Sequence, residues 1–289
     1  MTAQANSTPP RRKTDLKLLL RQGDLGKHFF LLVAGVLTYI PFWLLIVVSF
    51  KNQSQFYHNV WTPELPLHVE NYGVAWQVVS RYILNSIIVS AASVVGVLLV
   101  SSLSAFAFAR YNFPFKRLLF LMVISLLMVP GVLTMVPAFV LVKDLGLLNS
   151  YGGLILPAIA GQQIFAIFLL RGYMASLPEE LFEAARIDGA SIFQCYWYIA
   201  LPLSRPILAV IIIVALLDTW NEFLWPLIVI SDDALRTIPI GLAFFNSQFT
   251  TNYGPLMAGY VLSSLPLLLV FLFTSKQFVQ GLTAGAVKM

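Results

Sequence analysis

Residues Tyr82–Ala109 read YILNSIIVSAASVVGVLLVSSLSAFAFA, twenty-eight positions without a charged side chain, closed by Arg81 and Arg110. As a helix this run rises about 42 Å at 1.5 Å per residue, more than the roughly 30 Å of hydrocarbon in a bilayer. Backbone amides in lipid must bond within their own segment, so the run predicts a membrane-spanning helix. Working outward, five more runs of this kind follow: Phe29–Phe50, Leu118–Val142, Leu145–Leu170, Pro206–Ile230 and Gly254–Ser275. Only Pro206–Ile230 holds charge, at Asp218 and Glu222. The predicted fold is an all-α polytopic membrane protein with six transmembrane helices. Alternating ten-residue strands, the mark of a barrel, do not occur. Composition agrees, since only 11% of residues are charged and 58% are hydrophobic, against about a quarter charged in soluble domains. The lone Cys195 excludes an internal disulfide framework.

Orientation follows from Lys and Arg. With the amino terminus inside, 14 basic residues fall inside and four outside, the latter being Lys51, Arg81, Lys143 and Arg236. Six crossings then leave both termini in the cytoplasm. The first apolar run is too long for a secretory signal and lacks a small-residue cleavage site. Residues 1–27 form a basic cytoplasmic tail with a short helix near Asp15–Arg21, and residues 28–289 the transmembrane domain. The outside segment Lys51–Arg81 has room for a short helix at Val69–Val79, and Ser231–Tyr253 forms the last outside loop.

The 171–205 connection is cytoplasmic and too long to be structureless. In it, Ser176 and Glu179 are spaced as a capping box, with Pro178 in the first turn. Small side chains at Ala184 and Ala185 allow close approach, and Gly189 fits a helix stop. A second helix, Ile192–Ala200, ends at Leu201-Pro202. The residues alone leave two readings: a peg seated in a partner's groove, or a surface helix on the membrane.

Glu183-Ala184-Ala185, Asp188-Gly189-Ala190, Ile199 and Leu201-Pro202 resemble the EAA loop of binding-protein-dependent ABC importer permeases. Asn71-Tyr72, Asn85-Ser86, Trp220-Asn221-Glu222-Phe223 with Pro226, and the tail Phe278–Lys288 resemble the carbohydrate-uptake branch, of maltose-permease type. Tyr198 and Ile192 depart from that pattern, in which the first is basic and the second less apolar. The resemblance covers roughly residues 28–289. It implies a type I ABC importer permease fold in a bacterial or archaeal plasma membrane. The implied partners are a second homologous permease, two ATPase subunits, an extracytoplasmic solute-binding protein and a sugar. It also implies that Glu183, Ala184, Ala185, Asp188, Gly189, Ala190, Leu201 and Pro202 couple to the ATPase, with Gly281, Gly285 and Lys288 as tail contacts. Phe244, Phe245, Asn246 and Gln248 become candidate contacts to the binding protein.

The chain shows no phosphate loop, because Gly26-Lys27 lacks the glycine five residues earlier. ATP is therefore expected to be used by a partner, with no cofactor, metal or nucleic acid bound here and no catalytic residue. His28, His58 and His68 have no ligand spacing and read as solvated or interfacial. An acid inside a span costs roughly 2.5–3.5 kcal/mol at the bilayer centre, so Asp218 and Glu222 should face the bundle or a wet cavity. With Trp220 and Asn221 they are the candidate substrate path; the alternative is a polar knot that fixes helix packing. An intramembrane enzyme built on the two acids would need a nucleophile or metal ligands, and the sequence offers none. A permease for a non-sugar solute is the other alternative. Pro130-Gly131 and Pro137 should interrupt the third run, and Pro157 the fourth.

Overall fold

A computed structural model describes the backbone of residues 25–248 and 252–286, and the side chains of 26–245 and 252–272. The tail helix expected at Asp15–Arg21 lies outside the described residues, as does Lys288. All regular structure among the described residues is helical. The major helices are α1 (Leu25–Ser49), α2 (Gln53–His58), α3 (Glu70–Arg110), α4 (Lys116–Ser125), α5 (Gly131–Asp144) and α6 (Tyr151–Ala175). They continue with α7 (Glu179–Ile187), α8 (Ile192–Cys195), α9 (Leu201–Leu203), α10 (Arg205–Asn221), α11 (Leu224–Val229), α12 (Ile238–Gln248) and α13 (Tyr253–Ala286). Among the described residues, four helices are long and apolar enough to cross a membrane unbroken, and up to six if each of two bent pairs is one span.

Helix α3 is the mast of the bundle. Its 41 residues absorb the expected separate helix at Val69–Val79, so the connection between α1 and α3 is shorter than predicted. The reason lies at its start. Asn71 donates from Nδ2 to the carbonyls of Ser49 and Lys51, each at 2.9 Å, and the Tyr72 hydroxyl meets Ser49 Oγ at 2.7 Å. These bonds hold the end of α1 against the first turn of α3. A Cβ on Gly254 would strike Lys51 O and Asn71, so α13 begins at the same junction. Farther along, Ser90, Ser93, Gly96 and Val97 form a small-residue ridge against α6. Any side chain at Gly96 would enter the space of Ile159, as in close helix packing within bilayers.

The proline expectations divide. Pro130 starts α5 after a 102° break from Lys116–Met128, whereas Pro137 and Pro157 sit inside helices that continue. The fourth run begins at Tyr151 and not Leu145, because Gly146 and Asn149 take positive φ and turn the chain. Asn149 Oδ1 then accepts the backbone N–H groups of Ser231 and Asp232, at 3.1 and 2.9 Å. The fifth run is not one helix. It breaks at Glu222-Phe223, since Pro226 has no N–H to return to Glu222 O. The segment expected as the last outside loop is largely helix α12. Ile238, Leu242 and Phe245 are buried on one face, together with Ala75, Val79 and Ile83 of α3.

Candidate functional site

The 171–205 connection folds as two helical pieces joined by a tight turn. Helix α7 closes with a Schellman pattern: Gly189 N–H bonds Arg186 O at 3.1 Å and Ala190 N–H bonds Ala185 O at 2.8 Å. Gly189 sits at φ +81°, which a side chain resists, so the expected stop is met at that residue. The capping box expected at Ser176 and Glu179 does not form. Ser176 still belongs to the end of α6 and bonds Tyr173 O, and Pro178 precedes α7 without a side-chain cap. A capping box occurs instead at Ser191 and Gln194, which opens α8. Past Cys195 the helix widens into a π-turn over Tyr196–Ala200, where Leu201 N–H reaches back to Tyr196 O. The chain then bends by 76° into α10.

Glu179 misses its predicted cap because two arginines take its carboxylate: Arg110 at 2.6 Å and Arg186 at 2.7 Å. Arg110, the last residue of α3, also donates to Met174 O at 2.6 Å and Leu177 O at 2.7 Å. Its guanidinium lies 4.1 Å from the centre of the Phe182 ring. Beneath it, Phe106 packs against Phe182 and Tyr196, and Ser102 Oγ meets the Tyr196 hydroxyl at 2.7 Å. This anchor was missed in the sequence, where Arg110 reads only as a charge flanking a span.

The anchor divides the EAA-like residues into two faces. Glu183, Ala184, Asp188 and Gly189 are exposed. Ala185, Ala190 and Leu201 are half-buried against the chain's own core of Phe106, Phe182 and Tyr196. Pro202 is half-buried as well. Ile187, 86% exposed, stands beside the turn. The result is a protruding knuckle with an inner face fixed to α3 and a small-residue outer face.

A cavity of about 1010 Å³ lies between α5, α6 and α10, with mostly apolar walls. Asp218 and Glu222 both line it. Gln162 Nε2 bridges Asp218 Oδ2 and Thr219 Oγ1, each at 2.9 Å. Glu222 Oε1 accepts the Trp225 backbone N–H at 3.1 Å, holding the first turn of α11. Trp225 Nε1 in turn donates to Gly153 O at 2.9 Å. Trp220 and Asn221 do not line this cavity. The Trp220 ring is buried with Val79, Ile83 and Phe245, and Asn221 Nδ2 bonds back to Leu217 O at 2.7 Å. Trp220 is taken up by packing and Asn221 is exposed and bonded to its own helix, so neither sits in the cavity with the two acids as expected.

In the first half of α3, Asn85 Nδ2 donates to Ala234 O at 2.9 Å and Arg236 O at 2.8 Å, while its Oδ1 accepts the Tyr151 hydroxyl at 2.7 Å. Ser86 Oγ accepts Ile238 N–H at 2.8 Å. Arg236 stacks over Phe244 at 3.6 Å, and Phe245 is buried in the bundle core. Phe245 is therefore unavailable as a surface contact. The side chains of Asn246 and Gln248 lie outside the described residues; Gly281 and Gly285 fall within helix α13.

Residues 97–283 match a family described as binding-protein-dependent transport system inner membrane component. YurM of Bacillus subtilis, a probable ABC transporter permease protein, is 35% identical over 280 residues, covering 96% of this chain and 91% of its own length. AraQ of Halalkalibacterium halodurans, an arabinooligosaccharides transport system permease protein, is 37% identical over 259 residues, 86% of this chain and 90% of its own. UgpE of Yersinia pestis, an sn-glycerol-3-phosphate transport system permease protein, is 32% identical over 270 residues, 90% of this chain and 95% of its own. In fold, the chain resembles a bacterial ABC transporter involved in the import of the acidic polysaccharide alginate. That match has a TM-score of 0.78 at 21% identity and covers 94% of this chain and 100% of that one. The six-run bundle with its folded 171–205 connection is thus an ABC importer permease, and the chain belongs to the binding-protein-dependent transport system inner membrane component family.

Proposed function

We propose that this permease forms half of the translocation path of a sugar importer and couples that path to a separate ATPase through the α7–α8 knuckle. A second permease completes the path, two ATPase subunits drive it, and an extracytoplasmic binding protein delivers the sugar. The observation that carries the reading is the two-faced knuckle. Its inner face is held to α3 by Arg110, so a push on Glu183, Ala184 or Asp188 moves the mast of the bundle as one body. Such rigid-body transfer is how alternating access is driven. Both termini face the cytoplasm in this reading, on the side of the knuckle, and α13 brings Gly281 and Gly285 toward the same side. Phe244, next to the segment pinned by Asn85, is the remaining described contact candidate for the binding protein.

The sugar assignment is supported by the relatives, whose names include arabinooligosaccharides, and by the cavity. Its volume is that of a ligand site, and it offers Gln162, Asp218 and Thr219 as hydrogen-bonding groups on apolar walls. The test uses the complete transporter in proteoliposomes. Gly189→Trp is expected to abolish uptake while the spans still assemble, because the turn closes the knuckle's outer face. Normal uptake with that variant would contradict the reading.

A further inference from the structure

We propose that the end of the bundle that carries the knuckle holds a binding site for the phosphodiester headgroup of an anionic phospholipid. A second cavity, of about 430 Å³, lies where α3, α4 and α6 meet. It is lined by Phe108, Lys116, Arg117, Phe120, Leu121 and Arg171. Three cationic side chains therefore share one pocket that has no carboxylate in its lining.

Their situation differs from that of other arginines in the molecule. Arg110, Arg186 and Arg236 each meet a carboxylate within 2.7 Å. Among the described residues, none of Lys116, Arg117 and Arg171 forms an ion pair. Arg171 is also held in place: its guanidinium lies 4.4 Å from the centre of the Phe120 ring, yet its Nε is buried without a hydrogen-bond partner. Phe108 packs at a tilt against the same ring, 5.5 Å from Phe120, and lies 5.6 Å from Phe113. An unpaired guanidinium with its Nε buried, beside two further cations, is costly unless an anion joins it.

Location selects the anion. The pocket sits at the polar ends of apolar helices, where headgroups lie, and basic pockets between spans suit anionic lipid headgroups. A phosphodiester accepts two parallel bonds from the Arg171 fork and a point charge from Lys116. Phe108, Phe120 and Leu121 then meet the upper acyl chain. Lys116 opens α4, whose positive end adds to the same field. None of this depends on the transported solute or on the ATPase contact.

The site is tested by native mass spectrometry on the purified full chain in its complex, titrated with phosphatidylglycerol, phosphatidylcholine or inorganic phosphate. Phosphatidylglycerol should be retained in preference to phosphatidylcholine. Lys116→Gln, Arg117→Gln and Arg171→Gln should each weaken retention about fivefold, the value of one basic residue at an anionic surface. Lys143→Gln, at the opposite end of the bundle, should change nothing. If the Arg171 variant fails to assemble, the exposed Arg117 carries the same comparison alone. Equal retention of the two lipids, or a preference that survives all three substitutions, would overturn the site. Binding of inorganic phosphate through these residues without any phosphatidylglycerol preference would overturn the lipid assignment.

Discussion

Arg110 gathers more interactions than any other side chain of the knuckle: one carboxylate, two carbonyls and one aromatic face. Its side chain is only 8% exposed, so nothing in solvent replaces those partners. Arg110→Ala should cost about 2 kcal/mol locally, since hydrogen bonds to charged groups are worth roughly 1.5–3 kcal/mol. The functional loss should exceed the stability loss, with the ATPase still running in the complex while uptake falls at least about tenfold. Measuring ATP hydrolysis and solute uptake on the same proteoliposomes reads that ratio. Arg110→Lys restores the charge but not the planar fork, so it should rescue little. Asn85 plays a matching part in the first half of α3. Its replacement by alanine strips donors from Ala234 O and Arg236 O, and the expected outcome is a destabilisation of about 2 kcal/mol, visible as a lowered Tm. Asp218→Asn keeps an acceptor for Gln162 and removes the charge from the cavity. Uptake should fall about tenfold with complex yield unchanged if the solute meets Asp218; unchanged uptake would assign the residue to packing alone.

At the scale of elements, the knuckle divides by function. A charge at Ala184 should interfere only with a docked partner, because that side chain faces outward, whereas a charge at Ala185 should also disturb the Phe106–Phe182–Tyr196 core. Comparing complex yield for Ala184→Arg and Ala185→Arg checks this, with folding preserved in the first and impaired in the second. The same elements explain what was legible beforehand. Five of the six apolar runs can be counted from charge-free length, and Gly189 advertises its turn because most side chains resist that φ. Helix ends were less legible because their causes are distant. Glu179 serves Arg110, 69 positions away, instead of capping its own helix. The start of α3 is fixed by the end of α1, through Asn71. The break at Glu222 was written in Pro226, but hydropathy alone runs straight across it. Trp220 is close to the two acids in sequence, although two helical steps of about 100° each turn it from Asp218 to the opposite wall.

Over the whole molecule, α3 links the two ends. Its first turn holds α1 and α13, its middle packs on α6, and its last residue grips the knuckle. In the proposed reading a displacement at the knuckle reaches the wall of the 1010 Å³ cavity through α3, packed along α6. The central claim, that a separate ATPase pushes on this knuckle, is tested most directly by site-specific crosslinking. With the buried Cys195 replaced by alanine, a cysteine at position 183 becomes the chain's sole thiol. In native membranes it is expected to crosslink to the ATPase subunit, to stop uptake until reduced, and to escape impermeant thiol reagents added outside intact cells. Labelling from the outside, or an intact complex with no crosslink to the ATPase, would contradict the account.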